Sequence, residues 1–273
     1  MKENNTISAC IVSYNDAKQI EKCLHSLQGV VDEIILTHDG ECTDKTLQIA
    51  KKYKATIWIR PNKGFAEPHR AEQYKKAKGK WILILDPDEY LSPSLRKNLR
   101  KIVASDDADG YFFLWRMWDG KKYLTKKWPY RIGVVKKTHL RYLGIQHTDW
   151  TPRGRLKLID HELYHRPNYD NNSWSTFRTK HLPWLHLHAK QILTPIDQIP
   201  QFQWNSDKFP KHIEWIKRFH IFASPFIFVY FFVGSFVLSF PTEGFKLIRW
   251  VFFQALYYFL LCFAVAKLKY EKK

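Results

Sequence analysis

Cysteine is scarce in this chain and badly spaced for chemistry: Cys10, Cys23, Cys42 and Cys262 form no C-x-x-C pair and no zinc-like pattern. That leaves no disulfide framework and fits a reduced compartment. Internal repeats and low-complexity tracts are also missing, and no leader is expected ahead of the first strand, because Met1 to Thr6 is short, polar and enters an apolar run directly. We therefore expect the first domain to stay in the cytoplasm. Acidic residues are few: 26 Asp and Glu stand against 44 Lys and Arg, a formal charge of +18. Such a surplus calls for an anionic partner, and charge alone does not choose between nucleic acid, an anionic membrane surface and a phosphorylated substrate. A nucleic-acid role is not expected, since no recognised motif accompanies the charge and the acidic pair and apolar tail described next would go unexplained.

Charge is also unevenly placed. Residues 219 to 266 hold very few ionisable groups, and the apolar residues crowd there. The chain is therefore divided into a folded domain over 1–210 and a hydrophobic appendage over 211–273.

Within the first part, Ile7 to Ser13 is a short apolar run ending at Tyr14-Asn15-Asp16, and Ala17 to Leu27 carries apolar residues at helical spacing. Glu33 to Thr37 reads as a second strand, followed by His38-Asp39-Gly40 and a helix from Asp44 to Tyr53 with Asp44 as its N-cap. Ala55 to Ile59 gives a third strand, Phe65 to Ala77 a helix, and Lys80 to Leu85 a fourth strand stopping at Asp86-Pro87-Asp88-Glu89. A Ser-Pro-Ser start then opens a basic helix to Val103, and Gly110 to Trp118 reads as another strand. This rhythm predicts an α/β fold, a mostly parallel sheet flanked by helices. Ligands of such sheets sit at the carboxyl ends of strands, where all three polar clusters fall. From Lys121 to Arg166 the pattern is irregular, aromatic and rich in histidine, which we read as substrate-facing.

Asp86-Pro87-Asp88 is the sharpest chemical signal. Two carboxylates one residue apart can hold a hard divalent cation, Mg²⁺ or Mn²⁺, and contact a ribose at once. The cation would neutralise a diphosphate leaving group. A solvated turn around Pro87 gives the same letters, and the position after the buried run KWILIL is what favours function.

The string FAEPHRAEQYKKAKGKWILILDPDEYLSPSL from Phe65 to Leu95 resembles the central motif of family 2 glycosyltransferases, in the branch that includes lipopolysaccharide core glucosyltransferases of the WaaE kind. IVSYND and THDGECTDKT resemble the same family's first two nucleotide-binding stations. Together they span about the first hundred residues in the family's order. The resemblance implies a GT-A, Rossmann-like fold and a nucleotide-sugar donor, usually UDP-linked. Tyr14, with Asn15 beside it, and Asp39 would hold the base. Asp86 would contact ribose or sugar, Arg70 would approach the phosphates or sugar, and Asp88 would ligate the metal. The sequence departs from the family at Ala71, where Asn is frequent, and at His38, where a second Asp is common. YLGIQH, Tyr142 to His147, resembles a stretch that ends in His-Glu, with the acidic residue as general base. Thr148 occupies that place here, so Asp149 is the expected base and Glu89 the second choice. LIDHELYH resembles a later segment ending in a histidine that reaches the metal or diphosphate, which points to His165. His161 lies four residues earlier, a spacing that would share one helical face. The cluster His181, His186 and His188 is read as packing or interfacial, since it has no acidic or cysteine partner at zinc-like spacing.

In the appendage, Phe219 to Phe240 and Phe245 to Ala266 are each long enough to cross a hydrocarbon core and are joined by a turn with Pro241 and Gly244; Pro225 and Gly234 threaten the first. We expect a membrane-associated helical hairpin. Lys208, Lys211, Lys217 and Arg218 precede it and Lys267, Lys269, Lys272 and Lys273 follow, which places both ends at the cytoplasmic face. Burial against the globular domain or a partner is the alternative. The reading as a whole is an inverting, metal-dependent transferase acting on a lipid-linked or lipopolysaccharide-type acceptor at an anionic membrane surface. A polyprenyl-phosphate acceptor and a non-catalytic membrane scaffold are the alternatives. The oligomeric state is left open.

Overall fold

The computed structural model describes residues 5–147 and 150–271. Its centre is β1 (Ile7–Ser13), buried along its whole length and paired in parallel with β2 (Glu33–Asp39) on one side and β4 (Trp81–Leu85) on the other. A strand covered on both faces reads as a near-continuous apolar run rather than an alternating one; WILIL satisfies that, and in ISACIVS the two exceptions, Ser8 and Ser13, donate their hydroxyls to Glu33 and Asp16. β3 (Thr56–Arg60) adds a parallel edge beside β2. Beyond β4 come β7 (Tyr130–Lys136), β6 (Gly110–Leu114), β9 (Leu156–His165) and the short β5 (Glu89–Leu91). The order is β3-β2-β1-β4-β7-β6-β9-β5. β7 runs antiparallel to both neighbours, β9 lies parallel to β6, and β5 closes the edge antiparallel to β9.

The sheet's two faces follow the alternation of side chains along each strand. Ile7, Ala9, Ile11, Trp81, Leu83 and Leu85 join a core with α1 (Ile20–Leu27) and α4 (Pro93–Ala104). Cys10, Ile82 and Ile84 face the other way, against Ala71 and Tyr74 of α3 (Glu67–Lys76). α2 (Thr46–Lys52) follows β2, and the Asp44 carboxylate accepts from Thr46 N at 2.8 Å, although Lys45 is the residue at the cap itself. Ser92 caps α4 by accepting from Leu95 N at 3.1 Å. Gly79 packs so closely on Ser8 that a Cβ would stand 2.6 Å from the Ser8 amide nitrogen.

The segment read as irregular contains β7, β8 (Tyr142–Leu143) and β9; β8 pairs with β10 (Gln201–Phe202) in a separate two-stranded sheet. Strand pairing with partners remote in sequence orders these residues, and no local periodicity announces it.

By contacts the chain forms two units: Met1–Met117, Pro129–Asn168 and Pro200–Trp204, and then Trp118–Trp128, Tyr169–Ile199 and Asn205–Lys273. The second unit holds α5 (Trp174–Thr176), α6 (Leu182–Leu193), α7 (Lys211–Glu243) and α8 (Ile248–Tyr270). α7 and α8 pack as a hairpin, with α6 against α8. His188 is buried there with Nδ1 3.2 Å from the Tyr257 hydroxyl. α7 kinks at His220 (φ 33°) but continues through Pro225. Proline cannot donate to the carbonyl of Ile221, and the Ser224 hydroxyl donates to that carbonyl instead, at 2.7 Å. Gly244, at φ 61°, ends the helix, so Pro241 lies in its last turn rather than in the connection. The Glu243 carboxylate accepts from Lys126 N and Lys127 N and so fixes the 118–128 loop on the hairpin.

Candidate active site

The carboxyl ends of β2, β1 and β4 lie side by side, because Ser13 pairs with His38 and Ile11 with Leu85. After β1 the chain turns sharply. Asn15 has φ 52°, and Asp16 accepts from Ser13 Oγ and Tyr14 N at 2.8 and 2.9 Å. Asn15 N donates to His38 Nε2 at 3.1 Å, so the proton of that ring sits on Nδ1, which donates to Gly40 O at 2.9 Å. His38 is thereby held neutral in one tautomer. The Tyr14 ring, 54% exposed, lies 5.9 Å from it. Asn15 Oδ1 also accepts from Thr43 N, tying this turn to the loop after β2.

Asp39 is buried and accepts three hydrogen bonds, from Lys63 N at 2.6 Å, Gly64 N at 3.0 Å and His69 Nε2 at 2.8 Å. It therefore organises the loop entering α3. α3 is fixed across the sheet by Gln73, whose amide donates to Ile11 O and Thr37 Oγ1. One turn earlier, Arg70 is buried and reaches Asp86, with its Nη1 buried and unpartnered. Ala71, where an amide was expected, packs in the apolar layer instead.

After β4 the chain makes a tight turn in which Glu89 N donates to Asp86 O and Asp86 N to Glu89 Oε2. Asp86 carries two guanidiniums, Arg70 and, at 3.6 Å, Arg131 of β7. Burial pushes its carboxyl up, but the two cations outweigh that and hold it at about 2. Glu89 is fully buried, with Oε1 accepting from Trp115 Nε1 and Oε2 from Arg131, both at 2.6 Å. Burial, reinforced by the charges of Asp86 and Asp88, pushes its carboxyl up in spite of Arg131. The Trp150 indole underlies both cations, 5.2 Å from Arg70 and 4.8 Å from Arg131, and donates to Tyr74.

His165 reaches the site through strand register. β5 and β9 pair Glu89 with His165, which brings Nε2 to 3.6 Å from Asp88 Oδ2. The ring stacks on Trp115 at 4.1 Å. His161 belongs to the same strand, not to a helix. Four residues of strand span about 13 Å, and His161 meets Ser94 at 2.9 Å instead of the acidic cluster. Asp88 and His165 are two convergent donors, and among the described residues no third His, Cys, Asp or Glu completes a cluster. Asp149, expected as the base, and Thr148 lie outside the described residues.

Asp86, Asp88, Glu89, Arg70 and His165 thus come together, with Tyr14, Asn15 and Asp39 on the neighbouring strand ends. Sequence reasoning missed Arg131, Trp115 and Trp150. Arg131 stands in YRIGVVK, whose apolar run was a usable strand signal; Trp115 and Trp150 carried none beyond being aromatic.

The family model for glycosyl transferase family 2 matches residues 8–178. An uncharacterized glycosyltransferase of Rickettsia bellii is 38% identical over 106 residues, covering 38% of this chain and 35% of the relative. The Escherichia coli protein YibD, another uncharacterized glycosyltransferase, is 29% identical over 117 residues, 40% of this chain and 33% of its own. These matches span about a third of the relatives' length. Residues 1–349 of S. aureus TarS, solved in complex with UDP, superpose with a TM-score of 0.50 at 15% identity, covering 96% of this chain and 91% of that one. The fold is therefore of the GT-A kind.

Proposed function

Because this chain belongs to glycosyl transferase family 2, we propose that it is an inverting glycosyltransferase moving a sugar from a UDP-linked donor to a membrane-linked glycan or lipopolysaccharide-type acceptor. The observation that carries this reading is the meeting of Asp86, Asp88, Arg70, Arg131 and His165 at the end of β4, beside Tyr14 and Asp39 at the ends of β1 and β2. The UDP in the TarS complex supports the choice of nucleotide. The placement beside the WaaE-like branch belongs to the same proposal.

Tyr14 presents an exposed aromatic face to a base, next to a neutral His38, while Asp39 holds the loop that borders it. Asp86, kept ionised by its two arginines, accepts from a ribose or sugar hydroxyl. Arg70 and Arg131 each keep a buried guanidinium nitrogen that makes no hydrogen bond, which suits them to phosphate oxygens. Asp88 and His165 fit Mg²⁺ or Mn²⁺, since such ions commonly take one or two protein ligands and complete their shell with substrate phosphates and water. When bound by Asp88 and His165, such an ion would supply charge neutralisation of the diphosphate leaving group. Transfer itself is one displacement: the acceptor oxygen bonds to the anomeric carbon, the bond to the diphosphate breaks with its electron pair going to the diphosphate, and a carboxylate takes the acceptor's proton. We assign that base to Asp149. Glu89 has both oxygens engaged and is given the positioning of Arg131 and Trp115.

The catalytic domain is assigned to 1–210 and the anchor to 211–273. Lys211–Tyr270 is long and apolar enough to cross a membrane by length and composition, and only 17% of its most apolar window is buried. Phe222, Phe226 and Tyr230 point outward at i, i+4 and i+8, and the basic residues at both ends suit anionic lipid at the cytoplasmic face.

The test is donor binding by the detergent-purified protein across a panel of nucleotide sugars with Mn²⁺, with Mg²⁺ and with chelator, followed by turnover of the donor that binds. We expect metal-dependent binding of one UDP-sugar, and a loss of turnover on the order of a thousandfold in Asp88→Ala with unchanged melting. Full turnover in chelator would remove the metal from the proposal. Absence of binding to every donor would favour the scaffold alternative.

A further inference from the structure

An open groove of about 1030 Å³ lies on the α1/α4 face of the sheet, the face opposite α3 and its Arg70. On the β5–β9 ribbon Tyr90 pairs with Tyr164, and both line the groove together with Leu91. These two tyrosines meet edge to face at 5.2 Å, and Tyr53 adds a third aromatic wall. Lys18 and Lys22 of the α1 region and Arg96 and Lys97 of α4 surround them, against Glu21 alone on the acidic side. Among the described residues none of the three lysines is within salt-bridge distance of a carboxylate. At one end, Ala17 adjoins the Tyr14–Asp16 turn.

We propose that this groove is a second carbohydrate site, which holds a phosphorylated saccharide of the acceptor. It rests on the glycosyltransferase reading given above. Three features select the ligand class. Tyrosine faces with polar hydroxyls suit the C–H faces and hydroxyls of a pyranose better than an acyl chain, which would want aliphatic walls. Unpaired ammonium groups on both rims call for anionic groups on that saccharide, and phosphate matches them. The volume is that of an oligosaccharide rather than of a lone ion. A bilayer cannot enter a concavity, and the cations ring a hollow instead of forming the stripe along which a nucleic-acid backbone would run.

The experiment titrates the full chain, in a zwitterionic detergent free of sugar, with maltose 1-phosphate, maltose and inorganic phosphate by calorimetry. The same titrations are made on the triple variant Lys18→Ser, Lys22→Ser, Lys97→Ser, with UDP run in parallel. We expect maltose 1-phosphate to bind roughly tenfold tighter than either fragment, to weaken by about tenfold or more in the triple variant, and to be retained in Asp88→Ala. UDP binding should be unchanged in the triple variant. Equal affinity of wild type and triple variant, equal binding of phosphate alone, or no binding of the sugar phosphate overturns the proposal. So does loss, in the triple variant, of binding to anionic vesicles or single-stranded DNA when the sugar phosphate does not bind. If UDP fails while the sugar phosphate binds, the donor reading is at fault and the groove stands.

Discussion

The strand-end cluster and the α7–α8 hairpin treat water in opposite ways. Around Asp86 the chain withdraws charges from solvent and pairs them: Arg70, Arg131 and Glu89 are all buried or nearly so, and each meets an opposite charge. Along α7 it does the reverse, leaving Phe222 79% exposed, Phe226 69% and Tyr230 64%. A buried ion pair contributes little net stability but is costly to break, because the survivor stays desolvated. An exposed apolar face costs nothing once lipid covers it. On the proposed reading, the first region suits a charged ligand in water and the second an apolar surface.

The largest expected effect comes from the hairpin. Replacing Phe222, Phe226 and Tyr230 together by Ser removes roughly 1.5–3 kcal/mol of transfer energy per side chain. Flotation with anionic vesicles should then show the protein shifting from the membrane to the soluble fraction. Undiminished flotation would mean that this face packs on protein instead. Next comes Arg131→Ala, which leaves Glu89 buried without its cation. We expect a loss on the order of 3 kcal/mol, read as a lower melting temperature, with partial recovery in the double variant Arg131→Met, Glu89→Gln. A variant that melts like wild type would remove Arg131 from the buried network. Ser224→Ala is smaller, about 1 kcal/mol, since only the hydroxyl bond to Ile221 O is lost. Its check is the helical circular dichroism amplitude on heating. An effect beyond the unfolding range of a single hydrogen bond would imply that the helix breaks at Pro225.

The smallest effect concerns pH. The folded Asp86 carboxyl, at about 2, lies below its ordinary 3.8. Its contribution to stability is therefore complete above about pH 4 and is lost as pH falls through 2. Because that side chain is about a third exposed, solvent weakens the pairing. Acid unfolding followed by tryptophan fluorescence should be steeper between pH 4 and 2 in wild type than in Asp86→Asn. Identical curves would show that the arginines do not hold the charge.

The first three strand–helix units were legible because each buries a local, periodic pattern, and the polar ends of β1, β2 and β4 followed from parallel pairing. Legibility failed after Trp115. β9 is LKLIDHELYH, half polar and partly exposed, and β5 has three residues. Neither is a strand on its own propensity. His161 and His165 seemed equivalent by spacing, yet one meets Ser94 and the other Asp88.

By itself the sequence determined the alternating architecture, the apolar tail and the carboxylates at 86, 88 and 89, because hydrophobic period and turn chemistry are local. Only the tertiary structure decided which groups those carboxylates meet. Arg131 comes from β7 and His165 from β9, by non-local strand register, and Glu89 is enclosed by Trp115 and Arg131. Register between distant strands depends on how side chains pack across them, a quantity no short window of sequence contains.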